Sequence, residues 1–220
     1  MKYLVNDERL NKMKNILNSR QMDLRLFMDN VYSDHNLSAI VRSSDAINIG
    51  KLYYQHPEIK LNDNITMGAH KWVFNEYVED IEEFYKSMKN YQIVVTTLED
   101  DSVDFREVDY TLPTLIVVGN EVDGVSEISK KYAAKKVTIP MYGMTESLNV
   151  SVASAVILYE AQRQREAKEM YQKAQIDEEL FYETLKKWAY DDIIAKELKR
   201  PRMKQDRYGN VEWLKRKDRH

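Results

Sequence analysis

Two short runs, Ile93-Val94-Val95 and Leu115-Ile116-Val117-Val118, contain no polar residue and are mostly β-branched. A strand with one face in water alternates polar and apolar residues, whereas an uninterrupted apolar strand is buried on both faces, as in a parallel sheet covered by helices. The surrounding chain repeats the theme. Strand-like runs at 24–31, 51–55, 92–97, 114–118 and 136–139 alternate with helical patterns near 36–48, 79–89 and 126–134. This order predicts an α/β fold with a parallel sheet flanked by helices. Residues 57–70 have mixed polarity and read as a mobile loop.

The ends read differently. Residues 7–18 place Leu10, Met13, Ile16 and Leu17 on one face behind Asn6 as N-cap, which predicts a short amphipathic helix. After Tyr171 come helical stretches at 177–189 and 191–198, then a basic tail containing Pro201. The expected division is an N-terminal helical extension at 1–23, one central domain at 24–171 and a C-terminal helical, basic extension at 172–220.

Charge follows the same division. The net charge of −3 conceals +3 over residues 1–25 and +6 over 199–220, leaving −12 between them. Cations gathered at both ends suit phosphate binding, with a solvated tail as the alternative for 199–220. The chain has no cysteine, so disulfides, thiolate metal sites and cysteine nucleophiles are excluded. His35, His56, His70 and His220 form no pair at zinc-ligand spacing, so no metal is expected. No apolar run approaches the roughly 20 residues of a membrane span, and the N-terminus turns charged too early for a signal peptide. A cytoplasmic protein away from membranes is the expectation.

The site is expected at the carboxyl ends of the strands, where open α/β sheets bind ligands. Gly119, Gly124 and Gly143 lie in loops leaving the last two predicted strands. Neither a Gly-x-Gly-x-x-Gly fingerprint nor a phosphate loop is present. Ile139-Pro140-Met141-Tyr142-Gly143-Met144 ends a strand at a proline, and Ser147-Leu148-Asn149-Val150-Ser151-Val152-Ala153-Ser154 opens a helix. Leu148, Val152, Ala155, Val156 and Tyr159 form its expected buried face. Small side chains there let a ligand approach bare backbone and the helix N-terminus, though a plain N-cap has the same appearance.

Two further segments carry the same kind of loop. Asp29 to Arg42 holds Asn36 and Arg42 six apart behind a strand, and Thr114 to Gly124 ends a buried strand in a glycine-bracketed turn with Glu121. In this order the three segments resemble motifs 1, 2 and 3 of the TrmH (SpoU) branch of the SPOUT RNA methyltransferases. Gly68 to Val73, Asp104 to Tyr110 and Leu158 to Arg165 extend the resemblance, which covers roughly 24–170.

The resemblance implies a C-terminal trefoil knot, which the pattern of elements would not suggest. It further implies a homodimer with sites completed across the interface, and S-adenosyl-L-methionine held largely by backbone groups. The corresponding cofactor positions are Thr96, Gly119, Asn120, Ile139, Pro140, Met141, Ser147 and Leu148. The implied reaction is methyl transfer to a ribose 2′-hydroxyl, with Arg42, Asn36, Glu121, Ser147 and Asn149 as catalytic positions. Family reasoning makes Arg42 the base, assisted by an RNA phosphate. Arginine gives up its proton with difficulty, so a clamp on ribose and phosphate is the less demanding role. Glu121 suits a positioning role.

Short helical extensions at both ends resemble the subgroup that methylates the D-loop guanosine at position 18 of tRNA. A departure lies after Glu121, where Val122 and Asp123 stand in place of the subgroup's usual lysine. Another tRNA position, ribosomal RNA, or a non-catalytic RNA-binding role remain alternatives. Trp72 beside Val73 and Phe74 reads as core, with base stacking as the alternative; Arg163 and Arg165 are assigned to RNA or to a partner subunit.

Overall fold

The computed structural model describes residues 6–56, 61, 63–66 and 68–199, together with the short strands at 204–205 and 211–212. Seven strands form one all-parallel sheet: β1 (Gln21–Asp29), β2 (Ile49–Gln55), β3 (Asn75–Tyr77), β4 (Gln92–Thr96), β5 (Val103–Asp104), β6 (Thr114–Val118) and β7 (Lys135–Thr138). Their order is β3-β2-β1-β6-β4-β7-β5. The helices are α1 (Asp7–Asn18), α2 (Asp34–Ala46), α3 (Asp63–Thr66), α4 (Ile81–Ser87), α5 (Glu127–Tyr132), α6 (Val150–Ala167) and α7 (Glu178–Lys199).

The apolar runs become the central strands. All five residues of β6 are buried, and Ile116 pairs with Leu26 of β1 on one side and Val94 of β4 on the other. Alternate residues feed two cores. Leu24, Leu26, Met28, Val94, Ile116 and Val118 pack with residues of α2 and α6, while Phe27, Val95, Leu115 and Val117 pack with Phe84 and Tyr85 of α4 and flanking residues of α5. Each fully buried leucine or isoleucine contributes on the order of 1.5–3 kcal/mol. Local signals start the helices: Asp80 accepts from the Glu82 and Glu83 N–H groups ahead of α4, and Asn6 accepts from the Arg9 N–H ahead of α1.

Several expectations need correction. The two helical stretches after 177 are one helix, α7, because nothing between Ala189 and Asp191 breaks it. The 57–70 loop contains α3 and a 3-10 turn at Ala69–Lys71; its residues 57–60, 62 and 67 lie outside the described residues. β3 and β5 were not anticipated, being only three and two residues long. The buried face of α6 is Val150, Ser154, Ile157, Leu158, Ala161 and Arg165, whereas Val152 and Tyr159 are 48% and 52% exposed. Apolar and small residues occupy both sides of this helix, and contact with α2 and the sheet selects the seam. Trp72, read as core, is half-buried, with its carbonyl accepting from Arg20 Nη2 at 2.7 Å.

The chain divides into two compact units. Asn18–Ile176 contains the sheet, and the second unit is drawn from Met1–Leu17 and Asp177–His220. In the second, Met13, Leu17, Leu185, Trp188 and Ala189 are buried. Most of the basic tail at 199–220 lies outside the described residues. Among the described residues, no helix is long and apolar enough to cross a membrane.

Candidate active site

β6 runs between β1 and β4, both earlier in the chain, so the loop leaving β6 opens between the loops that leave those strands. There the sheet unit has a cavity of about 770 Å³, a size suited to a cofactor or drug-sized ligand. The loops after β4, β6 and β7 and the start of α6 line it.

The loop after β6 is held tightly. A Cβ on Gly119 would lie 2.1 Å from the Gly124 backbone, so only glycine allows the two strands of this turn to meet. Asn120 and Gly124 exchange backbone hydrogen bonds, each 3.1 Å, and Asn120 Oδ1 accepts from the Val122 and Asp123 N–H groups at 2.8 Å. Gly124 has φ 69°, the left-handed conformation glycine tolerates. This rigid turn presents Glu121 to the cavity.

Three side chains from three motifs meet at the cavity lip. Asn36, 7% exposed in the first turn of α2, donates its Nδ2 to Glu121 Oε1. Asn36 Oδ1 accepts from Asn149 Nδ2 at 3.0 Å. Asn149 simultaneously caps α6, its Oδ1 accepting from the Ser151 N–H at 2.9 Å and the Ser151 hydroxyl at 2.6 Å. Asn149 is therefore both a helix cap and a bridge between motifs.

Of the expected cofactor positions, Thr96, Gly119 and Asn120 line the cavity, as do Ile139, Met141, Ser147 and Leu148. Pro140 does not; it joins two lining residues. The Thr96 hydroxyl donates to the Val117 carbonyl at 3.2 Å, tying it to the sheet. Of the expected catalytic positions, Glu121, Ser147 and Asn149 line the cavity and Asn36 is bonded to two of them. Arg42 stands apart: it is exposed on α2, and its side chain has no hydrogen bond or ion pair among the described residues.

Sequence reasoning missed Glu99, Lys130 and Glu146 at the cavity. Glu99 opens an acidic run that carries no motif, and Lys130 comes from α5. Glu99 accepts from Lys136 Nζ at 2.6 Å and pairs with Lys130 Nζ at 2.9 Å, and those two bonds, Lys136 first, hold its carboxyl below the usual carboxylate range. Both lysines are pushed up, Lys136 by Glu99 and then Asp101, Lys130 by Glu127 and then Glu99. The signal would have been three-dimensional.

Arg165, assigned to RNA or a partner, is instead wholly buried. It pairs with Asp23 at 2.5 Å and donates to the Tyr110 and Leu112 carbonyls at 2.8 and 3.1 Å. Arg163 is exposed and pairs with Glu160 one helical turn earlier. Among the described residues, no group of three His, Cys, Asp or Glu side chains could hold a metal ion.

Residues 23–159, spanning this sheet and cavity, match the model of the SpoU rRNA Methylase family. The chain belongs to that family. It is 54% identical over 205 residues to the tRNA (guanosine(18)-2'-O)-methyltransferase of Aquifex aeolicus (strain VF5), covering 91% of this chain and 97% of that protein. The crystal structure of an A. aeolicus TrmH/SpoU tRNA modifying enzyme matches with a TM-score of 0.79 and 53% identity, over 85% of this chain and 98% of that one. The SpoU methyltransferase AviRb from Streptomyces viridochromogenes, solved in complex with the cofactor AdoMet, matches at a TM-score of 0.59 and 29% identity, covering 66% of this chain and 61% of that one. Membership in the SpoU family agrees with the resemblance carried by the three motifs.

Proposed function

We propose that this protein transfers a methyl group from S-adenosyl-L-methionine to the 2′-hydroxyl of a tRNA ribose, at the D-loop guanosine of position 18. The observation that carries the reading is the Asn36–Glu121–Asn149 network on the lip of the cavity. Asn120 and the rigid turn offer polar backbone, and Leu98, Leu148 and Ile157 offer an apolar wall. Glu121, Asp123 and Glu146 line the space with carboxylates that complement a cationic donor, while Glu99 is already paired with Lys130 and Lys136. The residues present thus fit S-adenosyl-L-methionine. When bound, that molecule supplies an electrophilic methyl group on a sulfonium.

The chain's own residues supply alignment. In-line transfer needs the ribose oxygen held in a fixed direction, and a well-positioned reactant gains several orders of magnitude in rate. Glu121 and Asn149 hold the Asn36 amide from both sides, so its orientation is set before RNA arrives. Ser147 stands exposed at the cavity to hydrogen-bond the ribose or the donor's carboxylate. Arg42 is available to clamp ribose and phosphate, keeping its charge while the hydroxyl proton leaves to phosphate or water.

Further parts of the reading concern architecture. The chain of motif 3 passes through an earlier loop to form a trefoil knot, which the insertion of β6 and β7 between earlier strands supports. The protein works as a homodimer, with Arg42 and the ribose site completed across the interface. Support comes from Tyr142 and Met144, 95% and 100% exposed, and from the exposed outer face of α6 with Val152 and Tyr159. Residues 24–171 catalyse, the extensions at 1–23 and 172–220 hold tRNA, and the reaction takes place in the cytoplasm. No metal takes part.

The test is transfer of labelled methyl to an unmodified tRNA transcript. Label at guanosine 18 that is lost with a 2′-deoxy substitution supports the reading. Label on ribosomal RNA alone would move the substrate within the family, and no transfer to either would overturn the enzyme assignment.

A further inference from the structure

Asp29 is the last residue of β1, followed by Asn30 in the left-handed conformation (φ 58°) that turns the chain toward Asn36. Its side chain is buried, 1% exposed. Oδ2 accepts from the Ser126 backbone N–H and the Ser129 hydroxyl, both at 2.7 Å. Ser129 in turn accepts from the Tyr85 hydroxyl at 2.6 Å, and burial pushes the Tyr85 phenol up, so it stays a donor. Oδ1 is buried without a partner.

A buried carboxylate is a costly way to fill space, and an apolar residue would avoid both the desolvation and the unpaired oxygen. The placement explains what it does. Ser126 caps α5 directly behind the loop that carries Glu121. That loop is rigid within itself, through the close approach of Gly119 to Gly124 and the bonds to Asn120. A rigid loop can shift only at its ends. One end is β6, in mid-sheet, and the other is Ser126, held by Asp29. The same residue begins the turn that delivers Asn36, so both partners of the Asn36–Glu121 bond are referred to one carboxylate.

We propose that Asp29 is a positioning residue for methyl transfer, clamping the Glu121 loop to the end of β1 so that Asn36 and Glu121 meet in register. The inference rests on the proposed function, and Asp29 touches neither substrate nor donor.

The test is a double-mutant cycle on the full-length protein, read as kcat at saturating tRNA and donor. Asp29→Ala is expected to lower kcat by about 100-fold, the size of a small misplacement at a reacting centre. Asp29→Asn, which still offers one oxygen to Ser126 and Ser129, is expected to restore most of that loss. In a Glu121→Ala background, adding Asp29→Ala is expected to cost less than about threefold, because its effect passes through Glu121. Ser129→Ala, a milder change that leaves the Ser126 contact, serves in the same cycle if Asp29→Ala does not fold. Full kcat in the folded single variants, or losses that multiply in the double variant, would overturn the inference while leaving the methyltransferase reading standing. No transfer by the unaltered protein would overturn both.

Discussion

Two polar clusters tie distant parts of the sheet unit together, and they are built on opposite terms. Around Arg165, four hydrogen bonds reach Asp23, Gln21, Tyr110 and Leu112, and the guanidinium is wholly buried. Around Asn36, the bonds to Glu121 and Asn149 leave capacity unused: Asn149 and Ser147 are exposed at the cavity, and the Ser147 hydroxyl has no partner among the described residues. A saturated, buried cluster has nothing left to offer a ligand and serves the fold. An anchored cluster at an open cavity can hold a substrate without first breaking its own bonds.

The contrast predicts that the first cluster governs stability and the second activity. Arg165→Met should have the largest effect on stability, roughly 3–5 kcal/mol, because it leaves the buried Gln21 oxygen and the Tyr110 and Leu112 carbonyls without their donor; urea unfolding measures it, and an unchanged midpoint would erase the distinction. Gly119→Ala should come next, since its Cβ would fall 2.1 Å from the Gly124 backbone. It is expected to cost about 1–3 kcal/mol and to abolish donor binding measured by calorimetry.

The second cluster should respond in the other sense. Asn36→Ala is expected to lower kcat by about 100-fold while costing only about 1 kcal/mol of stability. Arg42→Ala should leave stability within about 0.5 kcal/mol and donor affinity unchanged, yet stop methyl transfer. Retained activity there would detach Arg42 from the site altogether.

The smallest expected effect concerns the cavity mouth. The Glu99 carboxyl lies below its ordinary value of 4.5 in the folded protein, held there by Lys136 and then Lys130. A lowered folded value means that its contribution is present above the unfolded value and is lost as pH falls through the folded one. Thermal midpoints of the unaltered protein and Glu99→Gln should therefore differ slightly at neutral pH and converge in acid. A difference that persists in acid would remove the ion pairs as its cause.

How much of this was legible depends on the residue. β6 was read residue for residue at 114–118 because an unbroken apolar run admits few other structures. β3 and β5 were invisible, since three and two residues carry no period and exist as strands only by pairing with β2 and β7. The face of α6 was misread because apolar residues occupy both sides of the helix, and periodicity cannot choose between two such stripes. Arg165 was placed outside because a charged residue is ordinarily solvated; its partner Asp23 lies 142 positions away. The motif residues Asn36, Glu121, Ser147 and Asn149 were named from the sequence, while Glu99 and Lys130 entered only with the cavity.

The sequence by itself determined the buried parallel strands, the alternation of strands and helices and the glycine-bearing loops after β6 and β7, because these follow from local hydrophobic pattern and short-range turn chemistry; the loop after β1 joined them only through the family resemblance. Only the tertiary structure decided which side chains share a hydrogen bond. Asn36 reaches Glu121 across 85 positions and Asn149 across 113, and contacts at such separations exist only once strand order is set. The same holds for the buried Arg165 and for Asp29, whose hydrogen-bond partners Ser126 and Ser129 lie 97 and 100 positions away.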